Sequence, residues 1–457
     1  MFAPEPDRGR YPRMARFAQG YYFFVKRQTI TDMWKSICKQ MWNRKRSNSW
    51  IALELLLVFC LTWYIVDYLF VLVYNYHIPN HRNVENTLQI NLSEFDKNHP
   101  EYTTEANEPE TLEANYSRML QTICNYPGVE AVGISFDGST PGGGSYYARE
   151  FRSVKDTTRT AGGQVITIDP ENDYFKVFGF SMENGKKMIS TNDFEWVPNG
   201  IILSRSAANT LFAGANAFGQ ELDGGEQKFV VIGVIDDNKR FDYLRPQNYF
   251  YLSRGLNAEN LRSAEISVRY HSSLSGTKFT EQLKTDLSHS LQIGNFYLLS
   301  IIPYHKIGQN ATFDIDNNIK LRVYLMVFFL LCIFLCVMGA FWYRISLRPN
   351  EIGLRKAIGA TRANIHASLI IEGIWLLLLI TLPAMLIEYQ FVHAGLIDTI
   401  GRQGEPNPEY LPDRTFIRFI ITNAITCILL LIVIISAIWL PARKGASFAP
   451  AEALHYE

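Results

Sequence analysis

The chain has 457 residues, in which 44 lysines and arginines are balanced by 44 aspartates and glutamates. This zero net charge gives no general electrostatic case for nucleic acid or another polyanion as a partner. The apolar residues are strongly clustered, and that clustering is the first signal of structure.

Residues 1–28 form an irregular N-terminal segment without a continuous apolar core. A cleavable signal peptide needs such a core, so none is expected, and the first span should remain as an anchor. Met14 and Met33 are alternative translation starts between which the sequence does not choose.

Four later stretches reach the roughly 20 apolar residues that a helix needs to cross a hydrocarbon core. A buried core helix is the alternative interpretation of such a run, but four runs bordered by charge favour membrane spans. The predicted spans are 48–74, 321–343, 368–391 and 416–440. The fold class is therefore an α-helical membrane protein with four transmembrane helices and a large domain between the first two.

Lysines and arginines indicate the orientation, because they are retained on the cytoplasmic side of a membrane. They gather ahead of the first span, between the second and third spans, and after the fourth: Lys35, Lys39, Arg44, Lys45, Arg46, Arg344, Arg348, Arg355, Lys356, Arg362, Arg443 and Lys444. Both termini, the segment 344–367 and the tail 441–457 are thus predicted to be cytoplasmic. Residues 75–320 and the short loop 392–415 are predicted to be extracytoplasmic.

The large external domain is predicted to be mixed α+β. Residues 75–150 and 261–310 each read strand–helix–strand, and two such halves are the parts of a ferredoxin-like, porter-like unit. Residues 151–260 lie between them and read as an inserted, strand-rich subdomain. The Gly/Ser-rich stretch DGSTPGGGSYY is typical of a flexible connection into that insertion.

No catalytic, cofactor or metal site is predicted. The chain has no G-x-S-x-G or H-E-x-x-H motif, and Cys124 is the one cysteine of the external domain. The stretch DIDNN at 314–318 lacks the glycine and glutamate of a calcium loop, so a turn in a stalk is the preferred interpretation. The external domain is expected to bind or to transmit force and not to catalyse a reaction.

The basic stretch RPNEIGLRKAIGATRANI, residues 348–365, reads as a helix between two spans. Leu354, Ile358, Thr361 and Ile365 would form one stripe of that helix, and Gly353, Ala357 and Ala360 a second stripe of small residues. Small residues permit close backbone approach, which favours docking on a cytoplasmic partner. An interfacial helix lying on lipid headgroups is the alternative.

This stretch, followed by LIIEGIWLLL and PARKGASFAPAEALHYE, resembles the permease signature of MacB/FtsX-type ABC transporters, the type VII class. The external blocks YPGVEAVGISF, YFKVFGFSM, GIILSRSAANTLF and FVVIGVIDD are similar in order and spacing to the MacB-like periplasmic core domain. The resemblance covers about residues 33–457. It is a resemblance to members without a fused ATPase domain, because the printed sequence has no G-x-x-x-x-G-K-[ST] loop.

The resemblance implies a permease subunit of the cytoplasmic (inner) membrane that pairs with a second copy or a paralogue. A separate cytoplasmic ABC ATPase would hold ATP and Mg²⁺, while this chain binds no cofactor of its own. Residues 29–47 would be an amphipathic elbow helix on the inner leaflet. The ATPase-coupling residues implied by the family motif are Glu351, Gly353, Leu354, Arg355, Lys356, Ala357, Ile358, Gly359, Ala360 and Thr361.

Charges within the spans are further candidates, since intramembrane carboxylates are functional candidates by default. Glu54 is expected to snorkel, and Asp67 to reach water if the first span continues as a stalk. Glu372 is expected to pair with Arg355 or with a neighbouring helix. Glu388 near the outer end of the third span and Pro383, predicted to kink it, complete the intramembrane set.

The predicted function is mechanotransmission, in which ATP-driven motion reaches the external domain for efflux of an amphipathic drug, peptide or lipoprotein-like cargo. A periplasmic adaptor and an outer-membrane channel would be further partners. An FtsX-like regulator that activates a cell-envelope hydrolase without transport is one alternative. A membrane-anchored sensor without an ATPase is another, and a catalytic enzyme is the least favoured. No motif identifies the cargo.

Overall fold

A computed structural model describes residues 45–138, 140–142, 147–182, 188–347, 352–354, 360–395 and 409–447. The irregular segment 1–28 and nearly all of the elbow region 29–47 fall outside the described residues. The chain divides into a membrane unit, formed by described residues up to Phe70, from Lys320 to 395 and from Leu411 to 447, and an external unit built mainly from Val71–Ile319.

The described α-helices and β-strands are numbered here in chain order. The helices are α1 (Lys45–His77), α2 (Pro109–Cys124), α3 (Tyr174–Val177), α4 (Arg205–Phe212), α5 (Gly276–Ser290), α6 (Tyr304–Ser346), α7 (Arg362–His393) and α8 (Thr415–Ser447). The strands are β1 (Thr87–Glu94), β2 (Val129–Phe136), β3 (Ala148–Ser153), β4 (Thr160–Ile168), β5 (Gly200–Ser204), β6 (Glu221–Asp223), β7 (Lys228–Ile235), β8 (Tyr249–Ser253), β9 (Ala264–Tyr270) and β10 (Phe296–Pro303).

Four helices are long and apolar enough to cross a membrane: α1, α6, α7 and α8. The prediction of four spans is confirmed. Helix α6 has 43 residues, which corresponds to about 64 Å at 1.5 Å per residue. A hydrocarbon core is about 30 Å thick, so α6 is long enough to continue well beyond it.

The interpretation of residues 314–318 as a turn was wrong, because they lie within α6. Residues 309–338 contain neither glycine nor proline, so nothing in this part of the backbone breaks a helix. The turn propensity of one short Asp/Asn run is too weak to interrupt a helix that is favoured on both sides.

The membrane unit packs around one apolar cluster to which all four spans contribute, including Phe59, Val337, Leu377 and Ile434. Helices α7 and α8 approach closely at Gly373, where an added Cβ would overlap the Ile438 side chain. Lipid tails are as apolar as leucine, so close van der Waals contact of this kind is a main source of helix association in a bilayer.

One part of the external unit has the strand order β10–β1–β9–β2, with every neighbouring pair antiparallel. Helix α2 connects β1 to β2, and α5 connects β9 to β10. Both helices bury apolar residues, among them Met119, Ile123 and Leu283, in a core shared with these strands. The two strand–helix–strand halves, distant in sequence, thus form one ferredoxin-like unit, as predicted.

The remaining strands run in the order β4–β3–β6–β7–β5–β8, and β8 pairs back onto β4. The ring is therefore closed, and closure leaves no unpaired strand edge in this subdomain. Its core includes Phe151, Leu203, Val231 and Phe250, with Leu211 of α4 packed against them. The ring is joined to the ferredoxin-like unit through the pairing of β4 with β2.

Alanine substitutions at two adjacent glycines of β4 test whether the ring of strands is closed. A Cβ on Gly163 would overlap the Asn248 carbonyl oxygen and lie 2.6 Å from the Asn248 Cβ, whereas one on Gly162 meets nothing within 4 Å. We expect Gly163→Ala to cost about 1–3 kcal/mol, because backbone at the β4–β8 junction must move. The thermal unfolding midpoint of the purified full-length protein should fall for this variant. Gly162→Ala is the matched control, and equal midpoints for the two variants would contradict the closed ring.

Candidate functional site

The predicted coupling segment is described only in part. Ile352, Gly353 and Leu354 are helical, and Ala360 and Thr361 precede α7 in a non-helical conformation. The remaining predicted coupling residues lie outside the described residues: Glu351, Arg355, Lys356, Ala357, Ile358 and Gly359.

The predicted single stripe from Leu354 to Ile365 was wrong. Thr361 has an extended backbone (φ −75°, ψ 159°), and its hydroxyl accepts a hydrogen bond from the Asn364 backbone N–H at 3.3 Å. Thr361 is therefore the N-cap of α7, and Ile365 belongs to a different helix from Leu354. The sequence offers a physical reason, since threonine is a preferred residue for satisfying the free N–H groups at a helix start.

The described part of the coupling segment packs against the membrane unit. Ile352 contacts a small buried cluster with Ile345 of α6 and Ile365 of α7. Gly445 of α8 also lies against Ile345, at a built Cβ distance of 2.9 Å. Gly353 is buried, whereas Leu354 is 54% exposed. Apolar contacts thus fix one side of this short helical stretch, and the Leu354 side chain remains exposed.

A buried ion pair joins the last turn of α6 to the first third of α7. Arg344 donates a 2.8 Å hydrogen bond to the Glu372 carboxylate, and their side chains are 8% and 13% exposed. A neighbouring helix, one of the two partners expected for Glu372, is thus observed, and Arg355, the other, lies outside the described residues. The Arg344 guanidinium also lies over the Phe341 ring, 5.3 Å from its centroid.

A second buried ion pair joins α1 to α8. Arg418 donates through Nε and Nη2 to the two carboxylate oxygens of Asp67, with the Nε–Oδ1 distance 2.8 Å. Asp67 is 3% exposed, so the expectation that it reaches water was wrong. One turn away on each helix, the Trp63 indole N–H donates to the Thr422 hydroxyl at 3.0 Å.

The other intramembrane candidates have separate surroundings. Glu54 is partly buried and accepts a 2.8 Å hydrogen bond from the Cys336 thiol, so it faces α6. Glu388 is fully buried, and neither of its carboxylate oxygens has a hydrogen-bond partner among the described residues. Helix α7 continues past Pro383 to His393 without a break in its assignment.

The external unit contains a buried lysine that sequence reasoning missed. Lys239 is 1% exposed, and its ammonium group donates to the backbone carbonyls of Asn75 and Asp242 at 3.0 and 3.1 Å. Asn75 lies in the last turn of α1, where free carbonyls and the helix dipole favour a cation. Burial lowers the pKa of Lys239. Its contacts hold the loop after β7 on the end of α1.

Three of the sequence blocks quoted above meet at the end of β7. Asp236 pairs with Arg205 at 2.5 Å and accepts a hydrogen bond from the Ser181 hydroxyl. Asp237 accepts hydrogen bonds from the backbone N–H and the hydroxyl of Ser206, at 2.8 and 2.6 Å. Burial raises the pKa of the Asp237 carboxyl. These carboxylates fix the start of α4 against β7, so their role here is architectural.

An open groove of about 940 Å³ lies beside β7 in the external unit. Its lining is mixed, with apolar side chains that include Phe194, Val197 and Phe218 beside the charged residues Glu195 and Arg205. Within the part of the chain that the structure describes, no three histidine, cysteine, aspartate or glutamate side chains are placed to hold a metal ion.

Together these features define a polytopic membrane protein with one large extracytoplasmic domain. Residues 73–286 match the family described as "MacB-like periplasmic core domain", and residues 323–450 match "FtsX-like permease C-terminal". The chain belongs to the MacB/FtsX-type ABC transporter permeases.

Among known relatives, the chain is 27% identical over 214 residues to the "Macrolide export ATP-binding/permease protein MacB" of Aggregatibacter actinomycetemcomitans, covering 45% of this chain and 32% of that protein. It is 23% identical over 253 residues to the "Uncharacterized ABC transporter permease YvrN" of Bacillus subtilis (strain 168), covering 53% of this chain and 60% of that protein. The chain thus spans less than two thirds of the length of either relative.

The periplasmic region of MacB from Actinobacillus actinomycetemcomitans is a solved structure to which the chain is similar, with a TM-score of 0.30 and 15% identity. The match covers 50% of this chain and 93% of that one. The assignment of the ferredoxin-like unit and the closed ring rests on the strand order described above.

The ion pair between Asp67 and Arg418 gives a stability prediction. Asp67→Asn should destabilise the membrane unit by about 3–5 kcal/mol, because it leaves a buried guanidinium without its counter-charge. The double variant Asp67→Leu/Arg418→Met should recover most of that loss, since it removes both charges. Thermal unfolding in detergent measures this, with Arg159→Met in an exposed ion pair as the control. A double variant less stable than the single one would contradict the prediction.

Lys239 gives a second stability prediction. Lys239→Met keeps most of the aliphatic stem but leaves the buried carbonyls of Asn75 and Asp242 without their donor, at a cost of about 1–3 kcal/mol. Hydrogen exchange followed by mass spectrometry should show faster exchange at the end of α1 and in the loop after β7. Lys228→Met, at an exposed lysine of β7, is the control and should leave both regions unchanged.

Proposed function

We propose that this chain is the non-catalytic permease subunit of an ABC transporter, and that an ABC ATPase on a separate subunit drives its motion. The observation that carries the proposal is the short helical stretch around Leu354. Apolar contacts of Ile352 fix it against α6 and α7, while Leu354 is left exposed. Leu354 therefore leaves this stretch of the family's coupling motif with an apolar side chain that a partner could cover.

Support for this partner comes from the permease family and from the name of the relative MacB, which combines "ATP-binding" with "permease". In this proposal both termini and the segment 344–367 face the cytoplasm, in agreement with the distribution of lysine and arginine. ATP and Mg²⁺ bind on the ATPase. A second permease, either another copy of this chain or a paralogue, completes the transporter.

We propose mechanotransmission as the mode of action. The buried pairs Arg344–Glu372 and Asp67–Arg418 tie α6 to α7 and α1 to α8, so displacement of one helix by the ATPase displaces its partner. Helices α1 and α6 each continue beyond the residues needed to cross a membrane and lead into the external unit. The external domain would be the part that acts on cargo.

Efflux of an amphipathic drug, peptide or lipoprotein-like cargo is the proposed outcome of that motion. The groove beside β7 favours it over regulation of a cell-envelope hydrolase, because a recess with both apolar and charged side chains suits an amphipathic cargo. An adaptor and an outer-membrane channel would complete an efflux route across a two-membrane envelope.

The test is affinity purification of the full-length chain in mild detergent, followed by mass spectrometry and an ATPase assay. An ABC ATPase should copurify with the wild type. Leu354→Glu should abolish copurification, because it places a charge on the proposed docking surface while the buried residues of the segment stay unchanged. Gly359→Glu, in the same motif, should have the same effect. Gln121→Glu adds the same charge at an exposed position of α2 in the external unit, and the ATPase should still copurify with this variant.

Loss of the ATPase in Leu354→Glu but not in Gln121→Glu would support the proposal. Copurification with both variants would place the docking surface elsewhere. Failure of any nucleotide-binding protein to copurify with the wild type would contradict the proposal and favour a membrane-anchored sensor. If the ATPase copurifies, two genetic screens separate efflux from regulation. One measures sensitivity to drugs and peptides, and the other measures defects in cell-wall hydrolysis.

A further inference from the structure

Glu388 is the acidic residue of the described membrane unit that has no observed partner. Asp67 pairs with Arg418, Glu372 with Arg344, and Glu54 with the Cys336 thiol. The side chain of Glu388 is fully buried, and both carboxylate oxygens are without a hydrogen-bond donor among the described residues. This exception needs a physical explanation, because a buried charge is normally paired.

The groups near Glu388 come from the two helices that pack against α7. Helix α1 contributes Cys60 and Asp67, and α8 contributes Asn423 and Cys427. Asn423 is 3% exposed, and its amide nitrogen donates to the Phe419 carbonyl while its Oδ1 atom has no donor. None of these three oxygen atoms of Glu388 and Asn423 accepts a hydrogen bond from a described residue, and the Asn423 amide is the neighbouring group placed to donate to Glu388.

No described cation is free to neutralise Glu388. Arg418 is the nearby guanidinium, and it is fully engaged by both carboxylate oxygens of Asp67 and by the Pro412 carbonyl. On α7 itself, His393 is five residues beyond Glu388 and stacks on the exposed ring of Tyr389. An ionised Glu388 would give the buried set of Asp67, Arg418 and Glu388 a net charge of −1, close to a second carboxylate in a medium of low dielectric constant.

We infer that Glu388 is a proton-binding site inside the membrane, occupied at neutral pH, so that its side chain is a neutral carboxylic acid. The bound proton removes the unpaired charge and converts one carboxylate oxygen into an O–H donor. The Asn423 side-chain amide is the adjacent polar group, and its Oδ1 atom lacks a donor among the described residues. Protonation thus resolves the unpaired charge and the missing donor together, with no ligand other than a proton.

This inference goes beyond the proposed function, because it assigns a ligand to the membrane unit whether or not an ATPase drives the protein. Release of the proton would leave a bare carboxylate beside Asp67, between α1, α7 and α8. Proton occupancy of Glu388 would then favour close packing of these three helices. A pH dependence of stability follows, since the folded protein holds a proton that the unfolded chain releases.

The sign of that dependence is fixed. A group that carries more protons in the folded state makes the free energy of unfolding fall as pH rises. The wild type should therefore lose thermal stability relative to Glu388→Gln, in which the amide cannot titrate, as pH rises from about 4.3, where the unfolded carboxyl ionises, to the pH at which folded Glu388 releases its proton. The two proteins should match below that range, because glutamine has nearly the shape of the protonated acid and also provides a donor.

The direct test is infrared difference spectroscopy of the full-length protein in lipid nanodiscs. The wild type at neutral pH should show a carbonyl stretching band of a protonated carboxylic acid that is absent from Glu388→Gln. Glu372→Gln is the matched control, because the Glu372 carboxylate is paired with Arg344 and should contribute no such band. Unfolding midpoints of the same three proteins are then measured across the pH range.

Loss of the band in Glu388→Gln alone, with an unfolding midpoint at neutral pH no lower than that of the wild type, would support the proton site. Three results would overturn it. The band could persist in Glu388→Gln. Glu388→Gln could be strongly destabilised or fail to fold, which is the result expected if the substitution removed an ionised partner. Sodium or potassium ions could raise the midpoint of the wild type but not of Glu388→Gln, which would make the ligand a metal cation.

Discussion

The ion pair between Asp67 and Arg418 constrains the membrane unit more than any other described contact, because a charge in hydrocarbon has no water to solvate it. Asp67 and Arg418 lie on the first and the last span and are 351 positions apart in the chain. The Trp63–Thr422 hydrogen bond lies one turn away on both helices, toward the start of α1 and toward the end of α8. The two contacts together fix α1 and α8 as antiparallel neighbours and set their register.

The other polar contacts of the membrane unit each join a different pair of helices. Glu54 and Cys336 connect α1 with α6, and Arg344 and Glu372 connect α6 with α7. Association in a bilayer gains little from the hydrophobic effect, so such contacts and the close approach at Gly373 decide which helices are neighbours. The other carboxyls of the described membrane unit have partners, so the buried carboxyl of Glu388 is an exception. In the proposal above, a bound proton accounts for it.

The external unit is stabilised differently from the membrane unit, because it folds in water around apolar cores. Its ferredoxin-like part is assembled from halves separated by more than a hundred residues, and its second part is a closed ring of strands. Buried polar contacts again occur where segments distant in sequence meet. Lys239 holds the loop after β7 on the end of α1, and Asp236 and Asp237 hold α4 on β7.

Much of this architecture could be predicted from the sequence because its signals are local. Twenty consecutive apolar residues require a span, flanking arginines indicate its orientation, and strand–helix–strand periodicity indicates two halves of one unit. The motif predicts a coupling segment, and the single stripe drawn through Thr361 was wrong. A capping hydroxyl starts a new helix there, and a periodic pattern does not reveal such a break.

The sequence by itself determined the four spans, the external domain, its ferredoxin-like halves and the permease family, all of which depend on the order of residues along the chain. Only the tertiary structure decided which charges meet. Asp67 was expected in water and is paired with Arg418, Glu372 took Arg344, and Lys239 and Arg418 were missed altogether. The physical reason is that the free energy of a buried charge depends on the neighbour that packing brings within about 3 Å, and a linear pattern contains no information about that neighbour.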